Sequence, residues 1–163
     1  MEKRLLLSLL ETNARYEVTD LAAALNETEE AVKSAMKELE AENIIAGYHT
    51  LINWDKTNTD AVTALIQINA DPVRDFGYEL VARKIQQYSE IDSLFLISGS
   101  YEFLCIIKGR TMQEVAQFVN RKLAPIEGVT GTETYFVLKQ YKASGIILDD
   151  EDKDVDERLL VSA

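Results

Sequence analysis

This sequence holds one cysteine, Cys105, and one histidine, His49, in 163 residues. A lone cysteine has no partner for an internal disulfide, and its apolar surroundings mark it as a small buried hydrophobe. A lone histidine with no cysteine or carboxylate cluster at ligand spacing gives no basis for a metal site. Neither a nucleophile–base–acid arrangement nor a glycine-rich phosphate loop can be placed, so no enzyme activity and no cofactor is expected. His49 reads as a wing or hinge residue instead. No apolar run approaches the roughly 20 residues that cross a bilayer. The N-terminus lacks a basic region followed by an apolar stretch and a cleavage site. These absences point to a cytoplasmic protein with no membrane partner.

Positive charge is also scarce. Seventeen Lys and Arg stand against 28 Asp and Glu, a net charge of −11. Residues 1–50 carry ten acids and five bases, and residues 139–163 carry seven and four. Such a balance disfavours unspecific attachment to nucleic acid or anionic lipid. It does not forbid a local basic contact, because charges beyond a Debye length of about 8–10 Å are screened. What is plentiful is apolar side chain, at 47%, which is enough for a packed core.

Residues 1–46 read as three short helices. Leu5, Leu6, Leu9 and Leu10 recur at helical spacing. A loop follows, with Tyr16 and Val18 as expected core anchors. A second helix covers about 17–25, and Asn26 suits its left-handed stop. Thr28 is placed to cap a third helix, whose Val32, Ala35, Met36 and Leu39 form a buried stripe. Its other face presents Glu30, Lys33, Ser34, Lys37 and Ala41. A short helix, a tight turn and a longer capped helix make a helix-turn-helix pattern. Residues 44–53 are expected to form an extended strand or wing. The polar residues 53–60 are read as a hinge, which puts the first domain at 1–52.

From residue 61 the period changes. AVTALIQIN is an expected strand. The 71–88 segment is a turn and helix with Phe76, Leu80, Ile85 and Tyr88 on one side. SLFLISG and YEFLCIIKG are strands joined by a tight Gly-Ser turn. Thr111 opens a helix that turns Met112, Val115, Ala116, Val119 and Leu123 inward and ends at Pro125. VTGTETYFVLKQY closes the series. The order β-α-β-β-α-β predicts an α+β, ferredoxin-like sandwich over 61–142. In YEFLCIIK both strand faces are apolar. Two helices cover one face of a four-stranded sheet, so a second copy of the sheet is the simplest cover for the other. A homodimer through this domain is expected. Residues 143–163 read as an acidic, solvated tail that lacks the glycine and spacing of an EF-hand loop.

The chain resembles the leucine-responsive regulator and asparagine regulator (Lrp/AsnC) family of prokaryotic transcription factors from about residue 2 to 140. The segments that carry the resemblance are LLLSLLETNAR, DLAAALN, KELEAENIIAGY, GSYEFL and GVTGTETYFVLK. Each is short, and their order and spacing together are specific. The resemblance implies an N-terminal winged helix-turn-helix domain, a hinge strand and a C-terminal sensing domain. It also implies dimers that assemble into octamers and sense a small amino acid or related metabolite in clefts between dimers.

Within that frame GSYEF matches the family's Gly-x-Tyr-Asp segment, with Glu102 in place of the aspartate. Backbone amides near Gly99 and Ser100 would take a ligand carboxylate, Tyr101 would stand beside it, and Glu102 would face an ammonium group. Thr132 and Thr134 match a threonine pair on the last strand and would bind the ligand's polar atoms. The opposing reading is an ordinary β-turn and ordinary strand threonines. The third helix departs from relatives, which often carry clustered arginines there. Thr28, Lys33, Ser34 and Lys37 are the expected contacts to double-stranded DNA, with Lys3, Arg4 and Arg15 at the side. Glu29 and Glu30 suit the helix dipole and oppose phosphate.

The leading expectation is therefore an effector-responsive transcription regulator. The alternative is an oligomeric metabolite sensor with weakened DNA binding that acts through protein partners. An enzymatic reading, by analogy with siroheme decarboxylases of similar layout, is disfavoured because the sensing domain has no histidine.

Overall fold

A computed structural model describes residues 2–57, 61–72 and 76–148. The chain divides into two compact units, with the boundary between Ile52 and Asn53.

The first unit contains α1 (Lys3–Thr12), α2 (Val18–Leu25) and α3 (Glu29–Ala41). Their cores close on Leu6, Leu10, Leu21, Ala22, Val32, Ala35 and Leu39. These are the inward positions of each helical stripe, and burying their apolar surface holds three helices that would be marginal alone. Asn26 ends α2 in the left-handed region at φ 53°. Two residues later the Thr28 hydroxyl accepts the Ala31 N–H at 3.2 Å and starts α3. Asn43, at φ 56°, then turns the chain so that Ile44 and Ile45 both donate backbone N–H to the Leu39 carbonyl.

Two expectations change here. Tyr16 is exposed, and Val18 alone of the pair packs on the core. Residues 44–53 form no strand: Ile44 and Ile45 belong to the helix cap, and the rest of the segment has no ladder partner among the described residues. A β-strand needs a neighbour with which to form ladder hydrogen bonds. Here the Tyr48 hydroxyl anchors the segment by donating to Glu40 of α3 at 2.8 Å.

The second unit opens with a short 3-10 turn, Trp54–Lys56. It continues as β1 (Val62–Ala70), α4 (Glu79–Ile85), β2 (Ile91–Leu96), β3 (Phe103–Gly109), α5 (Met112–Phe118) and β4 (Val129–Phe136). The β-α-β-β-α-β order expected from the sequence is the order found. The sheet is antiparallel, with strand order β2-β3-β1-β4. Its helix-side face buries Ala64, Ile66, Ile68, Phe103, Cys105 and Ile107 against Val81, Ile85, Val115, Phe118, Val119 and Leu123.

Several details differ from the sequence reading. Phe76 is 60% exposed and Met112 is 53% exposed, while Val81 and Phe118 take the core places. Ala116 is exposed as well. After Phe118 the helix widens into a π-helical turn, Val119–Leu123, which brings Val119 and Leu123 inward. The β2–β3 connection is a six-residue loop, 97–102, rather than a tight turn, and Ile97 N–H closes it on the Glu102 carbonyl at 2.9 Å. Beyond β4 the chain forms a small hairpin, β5 (Lys142–Ala143) with β6 (Ile146–Ile147). Ser144 and Gly145 turn it with φ values of 46° and 82°, the arrangement of a type I′ turn. The start of the expected acidic tail is therefore ordered, and its acidic run lies outside the described residues.

Candidate functional site

The helix-turn-helix surface is built by α3. Its exposed side carries Glu30, Lys33, Ser34 and Lys37. Lys33 is tied to Glu29 one turn earlier at 3.1 Å, and Glu29 also accepts the Thr19 hydroxyl at 3.4 Å. Lys3, expected at the side of this surface, reaches Glu38 of α3 at 2.8 Å. That hydrogen bond, with the charge of Glu38 and Glu42, raises the Lys3 pKa against a smaller desolvation effect. Lys37, Arg4 and Arg15 have no side-chain partner among the described residues. The acidic residues of α3 thus neutralise two of the basic groups around it, and Lys37 is the helix's unengaged cation. Sequence spacing reveals the Lys33 pairing, since i and i+4 are helix neighbours. It does not reveal the Lys3–Glu38 pair, which joins separate helices.

The second candidate site sits at one end of the sheet. Gly99 and Ser100 are exposed on the 97–102 loop, and Tyr101 and Glu102 are half-buried. Neither Gly99 nor Ser100 gives its backbone N–H to a described residue. Glu102 is not the freely exposed carboxylate of a simple turn. Its Oε2 accepts the Ala70 N–H at 2.8 Å, and its own N–H donates to the Ile68 carbonyl at 3.2 Å. The side chain therefore completes the ladder at the end of β1.

Thr132 lies opposite Ile68 on β4, and Thr134 lies opposite Ile66. Directly paired antiparallel residues point to the same face. Both threonines therefore share the helix-side face with Ile66 and Ile68, and both are half-buried on an edge strand. Glu102 and Thr132 flank the same end of β1, about 10 Å apart by two strand spacings. Thr134 stands one pair further along. Glu102, Thr132 and Thr134 thus bring one carboxylate and two hydroxyls toward one end of the sheet, groups able to meet the polar atoms of a small ligand.

The opposite sheet face carries Leu65, Gln67, Leu104, Ile106, Phe95 and Tyr135. All are half-buried or exposed, with Phe95 at 48% and Tyr135 at 44%. The Glu133 carboxylate accepts from the Tyr135 hydroxyl and raises its pKa, aided by desolvation.

A sequence profile of the Lrp/AsnC ligand binding domain matches residues 63–147. An HTH-type transcriptional regulator of Bacillus subtilis, YugG, is 35% identical over 158 residues, covering 96% of this chain and 94% of its own. The chain belongs to the Lrp/AsnC family. A second relative, the HTH-type transcriptional regulator LrpA of Pyrococcus horikoshii, is 30% identical across 85% of this Lrp/AsnC chain and 96% of its own. The fold matches the transcriptional regulator NMB0573 of Neisseria meningitidis, solved as a complex with L-Met. That match has a TM-score of 0.66 and 23% identity, and covers 86% of this chain and 91% of the other. Among the described residues, no helix is long and apolar enough to cross a membrane. No cluster of metal-ligating side chains occurs among them either.

Proposed function

We infer that this chain is an effector-responsive transcription regulator of the cytoplasm, with residues 1–52 binding double-stranded DNA and residues 61–142 sensing a small amino acid or related metabolite. The observation that carries the reading is one chain holding both a capped helix-turn-helix and a Lrp/AsnC ligand binding domain. Thr28, Lys33, Ser34 and Lys37 are the proposed DNA contacts. Gly99, Ser100, Tyr101, Glu102, Thr132 and Thr134 are the proposed effector contacts. The L-Met bound to the Neisseria neighbour supports an amino acid as the effector class.

The half-exposed sheet face supports a homodimer, since a second copy would cover Leu65, Leu104, Ile106 and Phe95. Dimers then assemble further, and linking several weak heads raises their effective concentration on DNA. Effector control requires that the ligand bind two assembly states with different affinity. Residues 53–60 join the two domains.

Fluorescence anisotropy on fragments upstream of candidate target genes, with and without a panel of amino acids, tests this. The expected outcome is salt-dependent binding that one amino acid shifts. Absence of binding to every fragment at low salt sinks it. That outcome leaves a metabolite sensor acting through protein partners, the reading that the Lys33–Glu29 pair and exposed Glu30 favour.

A further inference from the structure

The segment that opens the second unit is tied to the β5–β6 hairpin. Asn53 stands at the cap position of the 3-10 turn Trp54–Lys56. A capping asparagine ordinarily accepts a backbone N–H of its own turn, and Asn53 makes no such bond. Its Nδ2 instead donates to the Leu148 carbonyl at 2.7 Å, 95 residues away. The turn closes without that side chain. Lys56 N–H donates to the Asn53 carbonyl at 3.3 Å, and the N–H and hydroxyl of Thr57 both donate to the Trp54 carbonyl, at 2.9 and 2.8 Å.

The hairpin needs support from outside itself. Its ladder has two pairs, Lys142 with Ile147 and Ala143 with Ile146, extended by the Leu148 N–H donating to the Tyr141 carbonyl. Two strands alone are marginal in water even when longer than this. The pairing puts Tyr141, Ala143, Ile146 and Leu148 on one face, and Lys142 and Ile147 on the other. Leu148 and Asn53 are both half-buried, each beside an exposed neighbour, Ile147 and Trp54. The bond between them is thus partly withdrawn from water, where a hydrogen bond meets less competition. It joins the last described strand to the first residue of the second unit.

We propose that the β5–β6 hairpin is a clasp for the interdomain linker, which it holds through Asn53 and so keeps short. With Asn53 fastened, the second unit begins at that residue. With Asn53 released, residues 53–57 would join the tether between the units and add up to about 17 Å of reach. Tether length governs the effective concentration at which a linked head meets its target. Opening or closing the hairpin is therefore a way to change what the first unit can reach without altering its own surface. The clasp includes none of the proposed DNA or effector contacts, so it stands or falls apart from those readings.

Trp54 is the chain's one tryptophan and adjoins Asn53, so its fluorescence reads the clasp in the full chain. Asn53→Asp keeps the side chain's size and, ionised, removes its donor. Gly145→Val strains the hairpin turn from the other side, because residue 145 has φ 82°. Each variant is expected to raise acrylamide quenching of Trp54, by up to about twofold from its present 46% exposure. Each is also expected to speed tryptic cleavage after Lys56 by about fivefold, the shift in a local opening equilibrium that one net hydrogen bond carries. Thermal midpoints should stay at the parent's value. Quenching and cleavage equal to the parent's in Asn53→Asp overturn the proposal. A parent-like linker in Gly145→Val overturns it too, since the hairpin would then not be what holds Asn53. So does a rise in both readouts that comes only with a lowered midpoint, because general unfolding would account for it.

Discussion

The Glu102 carboxylate accepts the backbone N–H of Ala70 at 2.8 Å, 32 residues away in the chain. A side chain here does the work of a strand residue at the end of β1. It also sets the position of the loop that carries Gly99 and Ser100. Replacing Glu102 by Ala leaves the Ala70 N–H without its acceptor and is expected to cost about 1–3 kcal/mol. Glu102→Gln keeps an acceptor oxygen and should cost less. Urea unfolding of both variants measures the difference, and equal midpoints for the two would remove the hydrogen bond from the account.

The proposed DNA contacts on α3 make a directional prediction. Glu29→Gln releases Lys33 from its 3.1 Å pair and should tighten DNA binding. Lys37→Gln removes the unengaged cation and should weaken it uniformly across sequences, lowering the salt slope by about one. Anisotropy titrations at several salt concentrations read both. Unchanged affinity in both variants would mean that this face does not meet DNA.

A tight approach joins β3 to α5. A Cβ added at Gly109 would stand 2.9 Å from the Val115 side chain. Val115 is fully buried and β-branched, so it has little room to yield. Gly109→Ala is expected to destabilise the chain by about 1–3 kcal/mol, and Gly109→Ser by at least as much. Thermal melts decide it, and a midpoint equal to the parent would show that the helix end shifts freely.

Burial pushes the Cys105 thiol up from 9.0 to about 12. Its folded pKa is thus above its unfolded one, so the stability it contributes is complete below pH 9 and is lost as pH rises toward 12. Chemical denaturation from pH 8 upward should show a loss in the parent that Cys105→Ala lacks. The native thiol should also resist disulfide reagents until the chain unfolds. Rapid labelling of the folded protein would contradict the buried placement.

The half-exposed sheet face offers a test of the proposed dimer. Ile106 lies at the centre of β3, paired with Leu65 and Ser93. Ile106→Glu places a charge where a second sheet would pack, and burying an unpaired charge is costly. Sedimentation velocity should show dimer or larger species for the parent and an 18.4 kDa monomer for the variant. A parent that sediments as a monomer at micromolar concentration would leave the face without this cover.

Much of the architecture follows from nearest neighbours along the chain. Asn26 and Thr28 mark the turn between α2 and α3 because their preferences act within a few residues. The leucine stripe of α1 and the alternation in β1 and β3 identify their inward faces for the same reason. The order of strands and helices, and with it the family, is legible in this way. Where local preference was ambiguous, burial decided. Phe76 and Val81 both fit an apolar position near α4, and only Val81 reaches the core.

What the tertiary structure alone decides is register and long-range pairing. The sequence by itself places Thr132 and Thr134 on one face of a strand. Their pairing with Ile68 and Ile66 shows that it is the helix-side face, and a slip of one residue would reverse this. Glu102 reads as an exposed turn acid until Ala70 is brought beside it, and Lys3 reads as a free cation until α3 presents Glu38. Arg110 and Arg121, far apart on the sequence pattern, line one surface depression only because β3 ends beside the helix that follows Thr111. Local sequence encodes which elements form, because helical and strand periods are short-range. Distances between side chains far apart in the chain depend on how those elements pack, and that is where the charges of this protein acquire their partners.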